Sequence, residues 1–262
     1  MDFQNIIIEK KENVGYLSIN RPEARNALNE YTLNEIVNAL DLFNNDNDVR
    51  VIQIRGTGDK AFCAGGDLKN MMENMEGNSI TIERFAGNYA KLIDSLIHSK
   101  KPTISVVQGY ALAGGCGLAA VCDITLASEK ATFGIPEINL GIWGAIISAP
   151  LVRIIGLKKA MELLYTGRMV KAEEAFKIGL VNMVVPHEDL DKEAKLLSEN
   201  IASKSPLAIS MGREALITIQ DMELMKSIKY LRHMVTVLMG SEDAKEGISS
   251  FLEKRKPIWK NK

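Results

Sequence analysis

The feature that most constrains this chain is an alternation, kept up through its first two thirds, of short β-type apolar segments with stretches of helical periodicity. Ile6 to Glu9 and Val14 to Ile19 read as two short strands around a charged turn, and an amphipathic helix follows from Glu30 to Phe43. Val51 to Ile54 reads as a strand ended by the turn RGTGDK. A loop rich in Gly and Met, a helix over Ile82 to Ile97, the buried strand Thr103 to Val107, a short apolar helix and the strand Ile124 to Ala127 come next. Strands that alternate with helices pack as an α/β core, because each crossover helix covers the sheet it has just left. From about Lys158 the pattern turns helical, with one strand-like interruption at Leu180 to Val185 and a single long helix expected over Pro206 to Met239. Residues 1–200 are therefore expected to form the α/β core and residues 201–262 a mainly helical C-terminal region.

Charge and cysteine usage narrow the function. Lys plus Arg number 32 against 33 for Asp plus Glu, a net charge of -1, so no global field draws the chain to nucleic acid or to an anionic membrane. An anionic ligand has to be held by local groups. The start MDFQNIIIEKKENVG has no cationic segment leading into a long apolar run, and no apolar stretch elsewhere reaches spanning length. A cytoplasmic protein without membrane or nucleic-acid partners is expected. The odd set Cys63, Cys116 and Cys122 lies in apolar or small-residue contexts, which points to reduced, buried thiols. His98, His187 and His233 are scattered and nothing has zinc-site spacing, so no metal is expected. Walker, dinucleotide-binding and nucleophile-elbow motifs are absent from the sequence.

Two glycine-rich turns carry the chemistry. In Phe62-Cys63-Ala64-Gly65-Gly66-Asp67-Leu68-Lys69, paired glycines after a strand let the backbone approach a ligand with no Cβ in the way. Gly109-Tyr110-Ala111-Leu112-Ala113-Gly114-Gly115-Cys116-Gly117 again follows a strand and precedes an apolar helix, whose N-terminus offers unpaired N–H donors and a partial positive charge. Side by side, two such turns can make an oxyanion hole; either alone is an ordinary strand-to-helix connection.

AFCAGGDLK and GYALAGGCG, followed by CDITLASEKATFGIPEINLG, resemble the enoyl-CoA hydratase/isomerase family, the crotonases. SINRPEARNAL, AEEAFKIGLVNMVVP and the ending FLEKRKPIW extend the resemblance over nearly the whole chain. It implies a spiral of repeated strand-helix units with a C-terminal helical region used in trimer formation, commonly as a dimer of trimers. An acyl-CoA thioester is then the ligand, with CoA part of the substrate and no separate cofactor. By motif position the N–H groups of Gly66 and Gly114 match the donors that hold the thioester oxygen. Ala24, Arg25 and Lys254 match positions that approach CoA, while Ala64, Asp67, Leu68 and Lys69 lie in the first turn. Trp143 is a candidate wall of the acyl pocket, as is the cluster Met71, Met72 and Met75.

Glu137, just after Pro136, falls where the family carries a catalytic glutamate, and chemistry at the α-carbon of a thioester needs a base poised near neutral pH. One position departs from the pattern. Typical hydratases place a second glutamate in the loop GGGCE, and this chain reads GGCG, with Gly117 there, a residue that can take a positive φ. A lone carboxylate suffices to move a proton between two carbons, so double-bond isomerisation fits this inventory better than addition of water. Hydration by Glu137 with an ordered water, decarboxylation of a malonyl-type thioester, and a non-catalytic acyl-CoA-binding or RNA-interacting relative remain as alternatives. Asp67 can in principle supply a second carboxylate, although in the family its position shapes the loop.

Overall fold

A computed structural model describes residues 3–76 and 79–262. The chain opens as an antiparallel hairpin of β1 (Ile6–Lys11) and β2 (Val14–Ile19), closed by a two-residue turn in which Glu12 takes φ 54°. Helix α1 (Glu30–Asn45) follows. Asn29 caps it by accepting from the Thr32 N–H at 2.8 Å, and Leu33, Ile36, Val37, Leu40 and Phe43 make the buried stripe of a 3.6-residue repeat.

Three successive turns of chain then each lay down two strands, one in each of two sheets. They are β3 (Val51–Gly56) with β4 (Ala61–Cys63), β5 (Thr103–Val107) with β6 (Tyr110–Leu112), and β7 (Ile124–Ser128) with β8 (Thr132–Gly134). The first sheet has the order β1-β2-β3-β5-β7-β10, where β10 is Met183–Val185, and is parallel from β2 onward. The second has the order β4-β6-β8-β9, where β9 (Met169–Lys171) is the antiparallel edge. Helices α2 (Leu68–Glu76) and α3 (Ser79–Ile97) follow β4, and α4 (Gly114–Val121) follows β6. After β8 come α5 (Ala145–Ile155) and α6 (Leu157–Thr166), then α7 (Ala172–Lys177) after β9 and α8 (Leu190–Ala202) after β10. The alternation predicts this α/β core, and the repeated strand-helix turns form the spiral that the resemblance implies.

Both faces of the first sheet are covered, which explains why its strands read as continuous apolar runs instead of alternating ones. Leu17, Ile52 and Ile54 pack with α1 and α3 through Leu33, Ile36, Leu40, Leu92 and Leu96. Val51, Ile104, Val106 and Leu126 pack on the other side against Leu190 and Ala194 of α8.

The chain departs from the expected elements in several places: the expected Gly- and Met-rich loop is in its Met-rich part helix α2, and α5 stands where no helix is expected. The long helix over Pro206 to Met239 is two, α9 (Pro206–Thr218) and α10 (Leu224–Met239). Met222 turns extended between them (φ -97°, ψ 148°), and the Glu223 carboxylate caps α10 by accepting from the N–H groups of Met225 and Lys226. Of the expected strand Leu180 to Val185 only its last three residues pair. The second sheet has no counterpart in the sequence reading, since three-residue strands are too short to show a period. Beyond α10 lies α11 (Glu242–Leu252), and the tail after it folds back on Asp243, whose Oδ1 accepts from the N–H groups of Lys260 and Asn261. α9 is tied to the core by Arg213. Its guanidinium pairs with Asp123 at 2.9 Å and donates to the carbonyls of Leu96, Ile97 and Ser99 at the end of α3. Among the described residues no helix is long and apolar enough to cross a membrane.

Candidate active site

The site is assembled from the ends of neighbouring parallel strands. β4, β6 and β8 are consecutive in the second sheet, and just past their C-terminal ends come Gly66, Gly114 and Glu137. Loops at the carboxyl ends of parallel strands are where ligand sites of α/β proteins collect.

The first turn is held by the segment RPEARNAL. Ala64 N–H donates to the Arg25 carbonyl at 3.0 Å, Leu28 N–H to the Gly65 carbonyl at 2.7 Å, and Asp67 N–H to the Leu28 carbonyl at 2.9 Å. The buried Asn26 amide locks that segment by donating to the carbonyls of Thr57 and Ala61. Gly65 has φ +96°, and a Cβ there would lie 2.6 Å from Ala113 Cβ and 3.3 Å from Gly114 N, so the two glycine turns touch. The second turn is strained. Ala113, a residue with a Cβ, sits at φ 52° and ψ -128°. Its N–H donates to the Gly134 carbonyl of β8 at 2.8 Å, and its carbonyl accepts from Cys116 and Gly117. Among the described residues, neither Gly66 N–H nor Gly114 N–H donates to a backbone carbonyl in these turns.

Both glycines border one cavity of about 470 Å³. Leu68, Met71, Ile82 and Phe85 line it from α2 and α3, and Leu140, Trp143 and Ile147 from the segment after β8. Glu137 lies in a single 3-10 turn opened by Pro136 and is the one carboxylate among the described lining residues. It is half-buried, its Oε2 has no hydrogen-bond partner among the described residues, and burial raises its pKa above the ordinary 4.5. A carboxylate kept dry and unpaired is a stronger base than one in water. The cavity can therefore take an uncharged chain, offer two backbone donors to an oxygen that gains charge, and move a proton.

Of the other residues singled out in the sequence, Ala64, Leu68 and Trp143 line the cavity, and Trp143 also stacks obliquely on Tyr165 with centroids 5.7 Å apart. Met71 lines it, whereas Met72 and Met75 do not and are exposed. Asp67 does not supply a second carboxylate. Its Oδ2 takes Arg21 at 2.8 Å and its Oδ1 faces the Lys69 and Asn70 N–H groups at the start of α2. Burial works against its charge, yet Arg21 and these donors outweigh it and hold its pKa below the usual range. Ala24, Arg25, Lys69 and Lys254 lie outside the cavity lining; the last three are exposed, and Lys254 follows α11 at φ 54°.

Gly117 has no positive φ: it belongs to α4, where its N–H donates to the Ala113 carbonyl at 3.1 Å. Glycine is required there by space. A Cβ would lie 2.3 Å from Ile147 Cγ2 and 2.5 Å from Tyr89 Oη. Tyr89 and Ile147 were invisible in the sequence: Tyr89 reads as one more member of the stripe on α3, and no helix is read around Ile147. Cys63, Cys116 and Cys122 are free and buried, and burial pushes each thiol up to about 12, which rules them out as nucleophiles near neutral pH. Among the described residues no cluster of His, Cys, Asp and Glu is set up to hold a metal.

One spiral that lays its strands in two sheets, with an apolar cavity at the strand ends of the second, defines a protein of the crotonase fold. The solved enoyl-CoA hydratase from Bacillus anthracis superimposes with a TM-score of 0.94 at 33% identity, covering 99% of this chain and 100% of that one. An enoyl-CoA hydratase subunit from Geobacillus kaustophilus gives 0.92 at 38% identity with complete coverage of both chains. The family model for enoyl-CoA hydratase/isomerase matches residues 9–262. In sequence, a probable mitochondrial enoyl-CoA hydratase of Dictyostelium discoideum is 44% identical over 97% of this chain and 90% of its own, and a crotonyl-CoA hydratase of Syntrophomonas wolfei 39% identical over 98% of each. The chain belongs to the enoyl-CoA hydratase/isomerase family.

Proposed function

We propose that this enzyme binds an acyl-CoA thioester with its acyl chain in the cavity and moves a double bond from the β,γ to the α,β position. In this reading Glu137 takes a proton from the α-carbon and the thioester oxygen takes up the resulting charge between the N–H groups of Gly66 and Gly114. Glu137 then returns the proton to the γ-carbon of the dienolate, giving the conjugated product. Donors of this kind are worth about 2.7–4 kcal/mol each in a comparable hole. The observation that carries the reading is the packing at Gly117: Ile147 and Tyr89 fill the space that a side chain at 117 would take, and Glu137 is the one carboxylate among the described lining residues. Ala24, Arg25 and Lys69 beside the first turn, and Lys254 of the same or a neighbouring subunit, are the proposed contacts to CoA.

Assembly into a trimer or a dimer of trimers, through residues 201–262, belongs to the same proposal. It is supported by a series of exposed apolar side chains on these helices, among them Leu216, Leu224, Met225, Ile228, Phe251 and Leu252.

A second reading, hydration by Glu137 with an ordered water, is favoured by the names of the relatives, which at 37–44% identity are hydratases. Parallel assays on a 3-enoyl-CoA and on crotonyl-CoA separate the two. Isomerisation faster than hydration supports the first; rapid hydration of crotonyl-CoA with the 3-enoyl thioester untouched refutes it. Glu137→Gln must lose turnover of either substrate while still binding it, and full activity in that variant would remove Glu137 from the role of base.

A further inference from the structure

Tyr89 stands on α3 with its ring against the second glycine turn, where a Cβ on Gly114 would lie 3.1 Å from Cε2. Its hydroxyl donates to the Gly114 carbonyl at 2.7 Å. The turn it touches is the strained one. A non-glycine residue at φ 52° and ψ -128° persists only where its surroundings over-determine it. The peptide in question joins Ala113 to Gly114, and it carries the Gly114 N–H. On one side Ala113 N–H is fastened to the Gly134 carbonyl at 2.8 Å; on the other, Tyr89 fastens the Gly114 carbonyl. The same hydroxyl lies 2.5 Å from where a Cβ of residue 117 would sit, so Tyr89 in this pose and any side chain at 117 exclude each other.

We propose that Tyr89 is a positioning residue of the oxyanion site: its hydroxyl clamps the Gly114 turn so that the Gly114 N–H stays aimed at the thioester oxygen, and residue 117 is glycine to admit that hydroxyl. The inference rests on the reading of Gly66 and Gly114 as the donors, and on no choice between isomerisation and hydration. Absence of a side chain at 117 is then part of a working arrangement in which the hydroxyl has replaced the carboxylate as the group next to the turn.

The test needs no turnover. A 3-oxoacyl-CoA such as acetoacetyl-CoA forms an enolate with its own ultraviolet band, and the fraction bound as enolate reports the oxyanion site directly. Tyr89→Phe keeps the ring and removes the hydroxyl. Loss of one neutral hydrogen bond corresponds to roughly a two- to tenfold change in an equilibrium. The ratio of bound enolate to bound keto form should therefore fall by about that factor, while affinity for a saturated acyl-CoA, which forms no enolate, changes less than about twofold. An unchanged enolate band overturns the proposal, and so does an equal loss of affinity for both ligands, which is what a packing role would give. If Tyr89→Phe does not fold, Gly117→Ala presses on the same hydroxyl from the other side and must lower the enolate fraction; a wild-type band there overturns the proposal. A wild type that shows the enolate band yet fails to isomerise a 3-enoyl-CoA removes only the isomerase reading. No band in the wild type removes the clamp and the donor assignment together.

Discussion

Replacing Gly117 by Ala adds one methyl group to α4, a change that helix propensity alone favours by about 0.5–1 kcal/mol. The structure predicts the opposite sign. The new Cβ would stand 2.3 Å from Ile147 Cγ2, 2.5 Å from Tyr89 Oη and 3.0 Å from Ile147 Cβ. Carbon contacts are comfortable near 3.5–4.0 Å, so Ile147 has to retreat by about 1 Å. It cannot do so by swinging a flexible end, because a β-branched side chain has few rotamers and this one is only 4% exposed. Overpacking of this kind costs about 1–3 kcal/mol, which at mid-range leaves a net loss of roughly 1 kcal/mol after the propensity gain. For a chain of this length that is a fall in Tm of about 2–4 °C, readable by calorimetry. Trimming the obstacle supplies the control. Ile147→Ala removes the nearest atom, and the double variant should lose less than the sum of the two singles by about 0.5 kcal/mol or more. A Gly117→Ala protein as stable as the parent, or losses that simply add, would show that crowding is not what keeps glycine at 117. Gly117→Glu meets the same obstacle and also buries a carboxylate, so restoring the family's second acid by that single change should give a less stable protein and no gain in hydration.

Glu137→Gln should lose turnover and gain stability at neutral pH. Burial raises the wild-type carboxyl above 4.5, so its contribution to folding is fully present below that pH and is lost as pH rises through the folded pKa; paired thermal melts should diverge toward neutrality in favour of Gln. Gly65→Ala, at φ +96° with Ala113 Cβ 2.6 Å from the added methyl, should force the two glycine turns apart and lower kcat about a hundredfold with the fold retained by circular dichroism. Arg213→Lys should lose roughly 2–3 kcal/mol in urea titrations, because one ammonium cannot serve Asp123 and the carbonyls of Leu96, Ile97 and Ser99 together.

What could be read from the sequence follows the length of each element. β2, α1, β3, β5 and β7 run long enough to show a run or a period, and all were legible with small errors at their ends. β4, β6, β8 and β9 are three residues each, so the sheet that positions the site left no pattern of its own; its presence showed only through the glycines just after it. The break between α9 and α10 was missed because no Gly or Pro marks it and the cap is an unusual one, Glu223. Gly66, Gly114 and Glu137 were legible through motif position, and they meet around one cavity. The reason for glycine at 117 was misread as backbone freedom, since the atoms that demand it belong to α3 and α5, 28 residues before and 30 after.

The order of strands in the second sheet has a consequence for which length changes the chain tolerates. Because Gly66, Gly114 and Glu137 each follow a strand of one hydrogen-bonded ladder, the strands that lead to them stand roughly 4.8 Å from neighbour to neighbour, whatever chain runs between. Residues added to or lost from the connection joining α9 to α10, which lies outside this sheet, leave that ruler untouched. A single residue inserted within β4, β6 or β8 would instead turn every later side chain of that strand to the opposite face and carry one of the three groups out of the cavity. Length variation among relatives should therefore concentrate in the helical connections and avoid these nine strand residues, three in each of β4, β6 and β8.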